Sequence, residues 1–300
     1  MRVVTLRDPN TLALRLLHGR GDLAELKPDV LSLFEGDTRI AIRAAPTSGV
    51  TYVGLHCAHG PLADPRVRRA LAHAIDRDGL RRARVGRYGV TATGVLPPAH
   101  WAYTAEVARY AYDPDRAREL LDEAGLRASG GAPRARFTLR VSSQRAAILS
   151  AQAIAAMLRE VGVEVDVRPS ELATLLSDLR AGRFDLTLLT IPDLSDPWGL
   201  GFWFGTASIP TARNPGAGGN RWRFSDARLD AALERGLREH EPSRRAPHYR
   251  DAQRVLAEQL PVIPLWHADV VWALRRPWTG LAPRGDGMLD FVTAIRRVAP

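Results

Sequence analysis

Between residues 136 and 190 the chain repeats one grammar, a short apolar run followed by a longer segment with helical spacing. RFTLRV at 136–141 reads as a strand, and a helix is expected from about Ala146 to Glu160. VGVEVDVRP follows as a second strand, in which Val161, Val163, Val165 and Val167 alternate with Gly162, Glu164 and Asp166. ELATLLSDLRAG reads as a helix stopping at Gly182, and FDLTLLT at 184–190 as a third strand. Strands that alternate with helices pair in parallel through right-handed crossovers, so the pattern points to an α/β fold. Ligands of such sheets sit outside the carboxyl ends of the strands. The stretch after FDLTLLT is therefore a site candidate by position alone.

The flanking segments supply helix-start signals. Asp8-Pro9, Asp64-Pro65 and Asp113-Pro114 each place a capping carboxylate before a proline at the first helical position. The first of these helices is expected to reach about Leu17, after a short strand at Val3–Leu6. In the second, Val67, Ala70, Leu71, Ala74 and Ile75 form an apolar stripe, with Arg68, Arg69 and His73 off it. Residues 39–45 and 50–57 read as strands, and 85–112 as a long ordered loop. Two amphipathic helices are expected at about Asp226–Leu237 and Ser243–Gln259, and VIPLWHADVVWALRR reads as strand pieces.

IPDLSDPWGLGFWFG at 191–205 combines two carboxylates with four aromatics. Asp196-Pro197 repeats the helix-start grammar, so Asp196 reads as a cap. Asp193 has no such explanation, and a cleft carboxylate recognises a cation such as an amine. Trp198, Phe202, Trp203 and Phe204 suit either cleft walls or core. One remaining carboxylate does not make a glycosidase pair. No GxSxG, HExxH, P-loop or GxGxxG motif opens a helix, so catalysis is not expected.

The chain has 300 residues, 45% hydrophobic and 25% charged, which is ordinary globular composition. Its formal charge is +9, carried almost wholly by arginine, since Lys27 is the only lysine. The arginines are scattered, at most two adjacent, so no nucleic-acid partner is expected. Cys57 is the only cysteine, which excludes an internal disulfide; in its apolar run it reads as a small buried residue. His56 and His59 are close but lack a carboxylate pair, and neither a metal nor a cofactor is expected. No apolar stretch is long enough to span a membrane, and MRVVTLRDPN has no apolar core of a signal peptide.

PLADPRVRRALAHAID at 61–76, TGVLPP at 93–98, YAYDPDRARELLDEAGL at 110–126, PDLSDP at 192–197, RWRFSDARLDAAL at 221–233 and YRDAQRVLAEQLPVIPLWH at 249–267 appear in series. In order and spacing they resemble the family 5 extracytoplasmic solute-binding proteins of ABC transporters, the peptide-, dipeptide- and nickel-binding type. The resemblance covers nearly the whole chain and corresponds to a C-terminal portion of such a protein. It implies a periplasmic-binding-protein-like clamshell of class II type, with one lobe complete and the other partial. Residues 1–57 would be part of the first lobe, 58–266 the second, and 267–300 the return across the hinge.

By the same resemblance, Asp193 would pair with a ligand's α-amino group. Trp198, Trp203, Asn220 and Trp222 are further pocket candidates. The implied partners are a peptide or small solute and the permease subunits of an importer, in the periplasm or at the cell surface. Two positions depart from the pattern: His56 stands where an Asn is frequent, and Thr190 where peptide binders carry a Trp. The alternative reading is the ligand-sensing domain of a cytoplasmic transcriptional regulator. The missing signal segment and basic charge fit that alternative.

Overall fold

The computed structural model describes residues 5–6, 8–211, 213–214, 216, 218–286 and 289–298. The strands are β1 (Leu23–Leu26), β2 (Ile40–Pro46), β3 (Val50–Leu55), β4 (Gly89–Thr91), β5 (Ala135–Ser142), β6 (Val163–Ser170), β7 (Leu186–Ile191), β8 (Val262–Arg275), β9 (Trp278–Thr279) and β10 (Arg296–Arg297). The helices are α1 (Pro9–Leu17), α2 (Pro65–Ala74), α3 (Arg77–Val85), α4 (Pro114–Glu123), α5 (Arg145–Glu160), α6 (Leu172–Arg180), α7 (Gly199–Phe204), α8 (Ala227–Arg238) and α9 (Pro242–Gln259). The strand expected at Val3–Leu6 lies partly outside the described residues; Thr5 and Leu6 are in no strand.

The β-α-β-α-β run forms the parallel part of the sheet. β5 pairs with β6 along its length and with β7 at Leu139/Leu186 and Arg140/Thr187, both in parallel. β3 lies antiparallel between β7 and β8, giving the order β1-β8-β3-β7-β5-β6, with β2 and β4 also on β8. Alternation along β3 divides two cores between the sheet faces. Val53 and Leu55 join Leu71, Phe137, Leu139, Ile154, Leu158 and Leu186 on one face. Val50 and Tyr52 join Leu175, Leu179, Ile191, Phe204, Trp222 and Tyr249 on the other. A third, smaller core gathers Leu16, Leu26, Val30, Phe34, Ile40 and Val271.

The expected strand pieces at the end of the chain are one 14-residue strand. β8 pairs with β3 and β4 as far as Ala268, then with β2 from Asp269 and β1 from Val271. The link Thr47–Gly49 between β2 and β3 passes the same level. Two chain segments therefore run side by side from the smaller section into the larger body.

Three of the four Asp-Pro pairs cap helices as their chemistry requires. Asp8, Asp64 and Asp113 accept from the amides of Thr11, Arg66 and Arg116 at 2.8, 2.8 and 2.9 Å. Asp196 departs from this pattern. It accepts from Trp198 N at 2.9 Å, but α7 starts one residue later with Trp198 at its cap. It closes a turn ahead of the helix.

Arg68 also corrects the stripe reading, because it is buried at 3% exposure. Its guanidinium donates to the carbonyls of Leu62, Ala63 and Gln259 at 2.7–3.0 Å, and Arg69 reaches Glu258 O. Together they satisfy carbonyls at the end of α9, which no further helical turn could reach. Cys57 is half-buried, and burial pushes its thiol up to about 11.

Candidate binding site

β7 ends at Ile191, and Pro192 turns the chain outward so that Asp193 is exposed at the carboxyl end of the strand. Ser195 N donates to Asp193 Oδ1 at 2.8 Å and Ser195 Oγ to Oδ2 at 3.2 Å. Ser48, in the Thr47–Gly49 link, donates its hydroxyl to Asp193 Oδ1. Partial burial alone would raise the pKa of this carboxyl. The Ser48 and Ser195 hydrogen bonds outweigh burial and hold it below the usual carboxylate value, against a small opposing effect of the Asp286 charge. Asp193 is thus ionised, oriented and open to solvent.

The rest of the loop is braced from below. Arg245 on α9 forks onto Asp196 at 2.8 and 3.2 Å, with its guanidinium 5.4 Å from the ring centres of both Trp101 and Tyr249. Burial raises the Asp196 pKa, but the Arg245 and Trp198 hydrogen bonds prevail and lower it. His100 Nε2 lies 3.1 Å from Ser195 O, while its Nδ1 accepts from Ala102 N at 3.0 Å. That pair of contacts makes Nε2–H the donor of a neutral ring, in keeping with the lowered pKa that burial gives His100. Asp196 is committed to Arg245 and a backbone amide, whereas Asp193 retains accessible acceptor positions.

The pocket candidates separate sharply. Trp198, 57% exposed, follows Asp193 in the same loop. Trp203 is half-buried, edge-on to Phe202 at 5.2 Å and 5.6 Å from the Arg221 guanidinium. Asn220 and Trp222, expected in the pocket, are interior instead, both 0% exposed. The Asn220 amide donates to the carbonyls of Phe204, Gly205 and Phe224 and accepts from Phe224 N, which leaves nothing for a ligand. The Trp222 ring fills the space above Gly54, where a Cβ would stand 2.3 Å from it, and meets Tyr52 edge-on at 5.2 Å.

Sequence reasoning missed Ser48, His100 and Arg245. Their partners lie 145, 95 and 49 residues away, and no local pattern marks such meetings. His56 and His59 do meet, stacked at 3.8 Å, but no group of three metal-ligating side chains forms among the described residues. Nor is any described helix long and apolar enough to cross a membrane.

Known proteins resemble this chain in sequence and in fold. The sequence pattern of the bacterial extracellular solute-binding proteins, family 5 Middle, matches residues 1–209. Di/tripeptide-binding protein 2 of Pseudomonas aeruginosa is 29% identical over 291 residues, covering 95% of this chain and 53% of the relative. The probable ABC transporter periplasmic-binding protein SapA of Escherichia coli is 30% identical over 291 residues, covering 94% and 51%. The chain thus spans about half the length of the curated relatives it matches.

Among solved structures, NikZ from Campylobacter jejuni with Ni(L-His) superposes with a TM-score of 0.84 at 21% identity, covering 97% of this chain and 60% of that one. DppA from Helicobacter pylori with the peptide STSA gives 0.83 at 21%, covering 98% and 56%. The architecture is the periplasmic-binding-protein clamshell, of which this chain holds a little over half. With the pattern match spanning most of its length, the chain belongs to the family 5 bacterial extracellular solute-binding proteins.

Proposed function

We propose that this chain is a C-terminal portion of the solute-binding component of an ABC importer, taking peptides or other amine-bearing small solutes. In this reading residues 58–266 form one lobe, and 1–57 with 267–300 belong to the other. The ligand is captured without chemistry, closure about the two linking segments encloses it, and the closed form is presented to the permease. The setting is the periplasm or the cell surface. One observation carries the reading: an exposed carboxylate, held ionised by Ser48 and Ser195, stands at the carboxyl end of β7 beside those links. The peptide-binding relatives named above support the solute class.

The test is calorimetric titration of the natural protein with di- and tripeptides bearing free or acetylated amino termini. Free amines are expected to bind, and both acetylation and Asp193→Asn to weaken binding by about 2–5 kcal/mol, since each leaves one partner of an enclosed charge pair unmatched. Undiminished binding of free-amine peptides by Asp193→Asn would overturn the assignment.

A further inference from the structure

Ser48 does more than touch the carboxylate. Leu194 N donates to its Oγ at 3.0 Å, which orients the oxygen and leaves the hydroxyl proton for Asp193 Oδ1. The approach depends on Gly49: a Cβ there would stand 2.7 Å from Pro192 O and 2.9 Å from Ile191 O. The same link is tied to β8 where that strand changes partners. Thr47 Oγ1 donates to Ala268 O at 2.7 Å, and His267 Nδ1 lies 2.8 Å from Gly49 O. The loop after β7, the Thr47–Gly49 link and the change-over point of β8 form one hydrogen-bonded unit.

We infer that Ser48 is a positioning residue for the ligand amine, tying the anchor Asp193 to the segment that joins the two parts of the molecule. The inference rests on reading Asp193 as the amine anchor. A hydroxyl donating to a carboxylate favours its ionised form and fixes its direction. Oδ1 is held by Ser48 and the Ser195 amide, while Oδ2 has, among the described residues, the longer Ser195 Oγ contact, so an ammonium finds an oriented acceptor there. Movement of the link carries Ser48, and through it the carboxylate. Affinity and closure therefore answer to the same hydrogen bond.

The experiment compares Ser48→Ala, Ser48→Thr, Thr47→Val and Asp193→Asn in the natural protein. Each is titrated with an unblocked dipeptide by calorimetry from about pH 3 to about pH 7, with thermal melts confirming folding. Ser48→Ala is expected to bind about tenfold more weakly at neutral pH, the loss of one charge-assisted hydrogen bond. Its acid limb moves to higher pH, because Asp193 without that donor protonates sooner. Ser48→Thr restores both. Thr47→Val loses a hydrogen bond in the same link but none to Asp193, and keeps the wild-type acid limb.

If Asp193→Asn abolishes binding while Ser48→Ala retains wild-type affinity and acid limb, the positioning role is overturned and the anchor stands. An equal shift of the limb in Thr47→Val overturns it as well. Wild-type binding by Asp193→Asn removes the anchor and the positioning role together.

Discussion

Strand β8 passes through two unlike surroundings. From Val262 to His267 every residue is buried, with β3 and β4 on its edges and packed elements over both faces. From Ala268 to Val270 the residues are only partly covered, and the far half, against β1 and β2, shares a core with fewer buried side chains among the described residues. The larger body contains two cores that together draw on β3, β5, β7, α2, α5, α6, α8 and α9. Hydrophobic stabilisation scales with apolar area removed from water, so one end of β8 is anchored far more strongly than the other. Within this chain the larger body carries Asp193 on the two larger cores, and the smaller section has the smaller one.

The largest expected effect lies in the larger body. Trp222→Ala should cost about 3–5 kcal/mol in chemical denaturation, because it empties a fully enclosed site over Gly54 that the backbone cannot collapse to fill. Its counterpart is Phe34→Ala in the smaller core. Hydrogen exchange should show lost protection in β1 and β2 with β5 and β7 nearly unchanged. Equal loss in all four strands would break the distinction between the two regions.

A smaller effect comes from Arg68→Met, which keeps the aliphatic volume but strips donors from the carbonyls of Leu62, Ala63 and Gln259. We expect about 2–3 kcal/mol, confined to the global transition of the larger body. A surface arginine, as the stripe pattern implied, would give a change near zero.

The last effect is pH-dependent and shows only in acid. Burial, then the neighbouring His59 and Arg223, lower the His56 pKa from 6.5 to about 4. The folded state therefore holds His56 neutral where the unfolded chain protonates it. Stability is full above pH 6.5 and declines as pH falls toward about 4. His56→Gln should flatten that slope in denaturation curves taken across the interval. An unchanged slope would place the proton uptake elsewhere.

Much of this was legible in the chain itself, and the failures have identifiable causes. The parallel set β5, β6, β7 follows from alternation and helix spacing, which depend on neighbours a few residues apart. Asp8, Asp64 and Asp113 cap their helices because the carboxylate reaches an amide two or three residues on. Asp196 shares the dipeptide but not the outcome, since Arg245 forks onto its carboxylate from α9. Arg68 looked like a surface residue because its acceptors at Leu62, Ala63 and Gln259 are carbonyls, which leave no mark in side-chain pattern. Asn220 and Trp222 are pocket candidates in sequence, yet the folded chain closes over them.

The sequence by itself determined the α/β class, the family and the singular position of Asp193, because periodicity, capping chemistry and motif order are local properties. Only the tertiary structure decided that β8 is one strand shared by two cores, and that a serine 145 residues upstream holds the carboxylate. Those are contacts between segments distant along the chain. They form where β3 lays its start beside the end of β7, and Gly49 leaves room for the two backbones to meet.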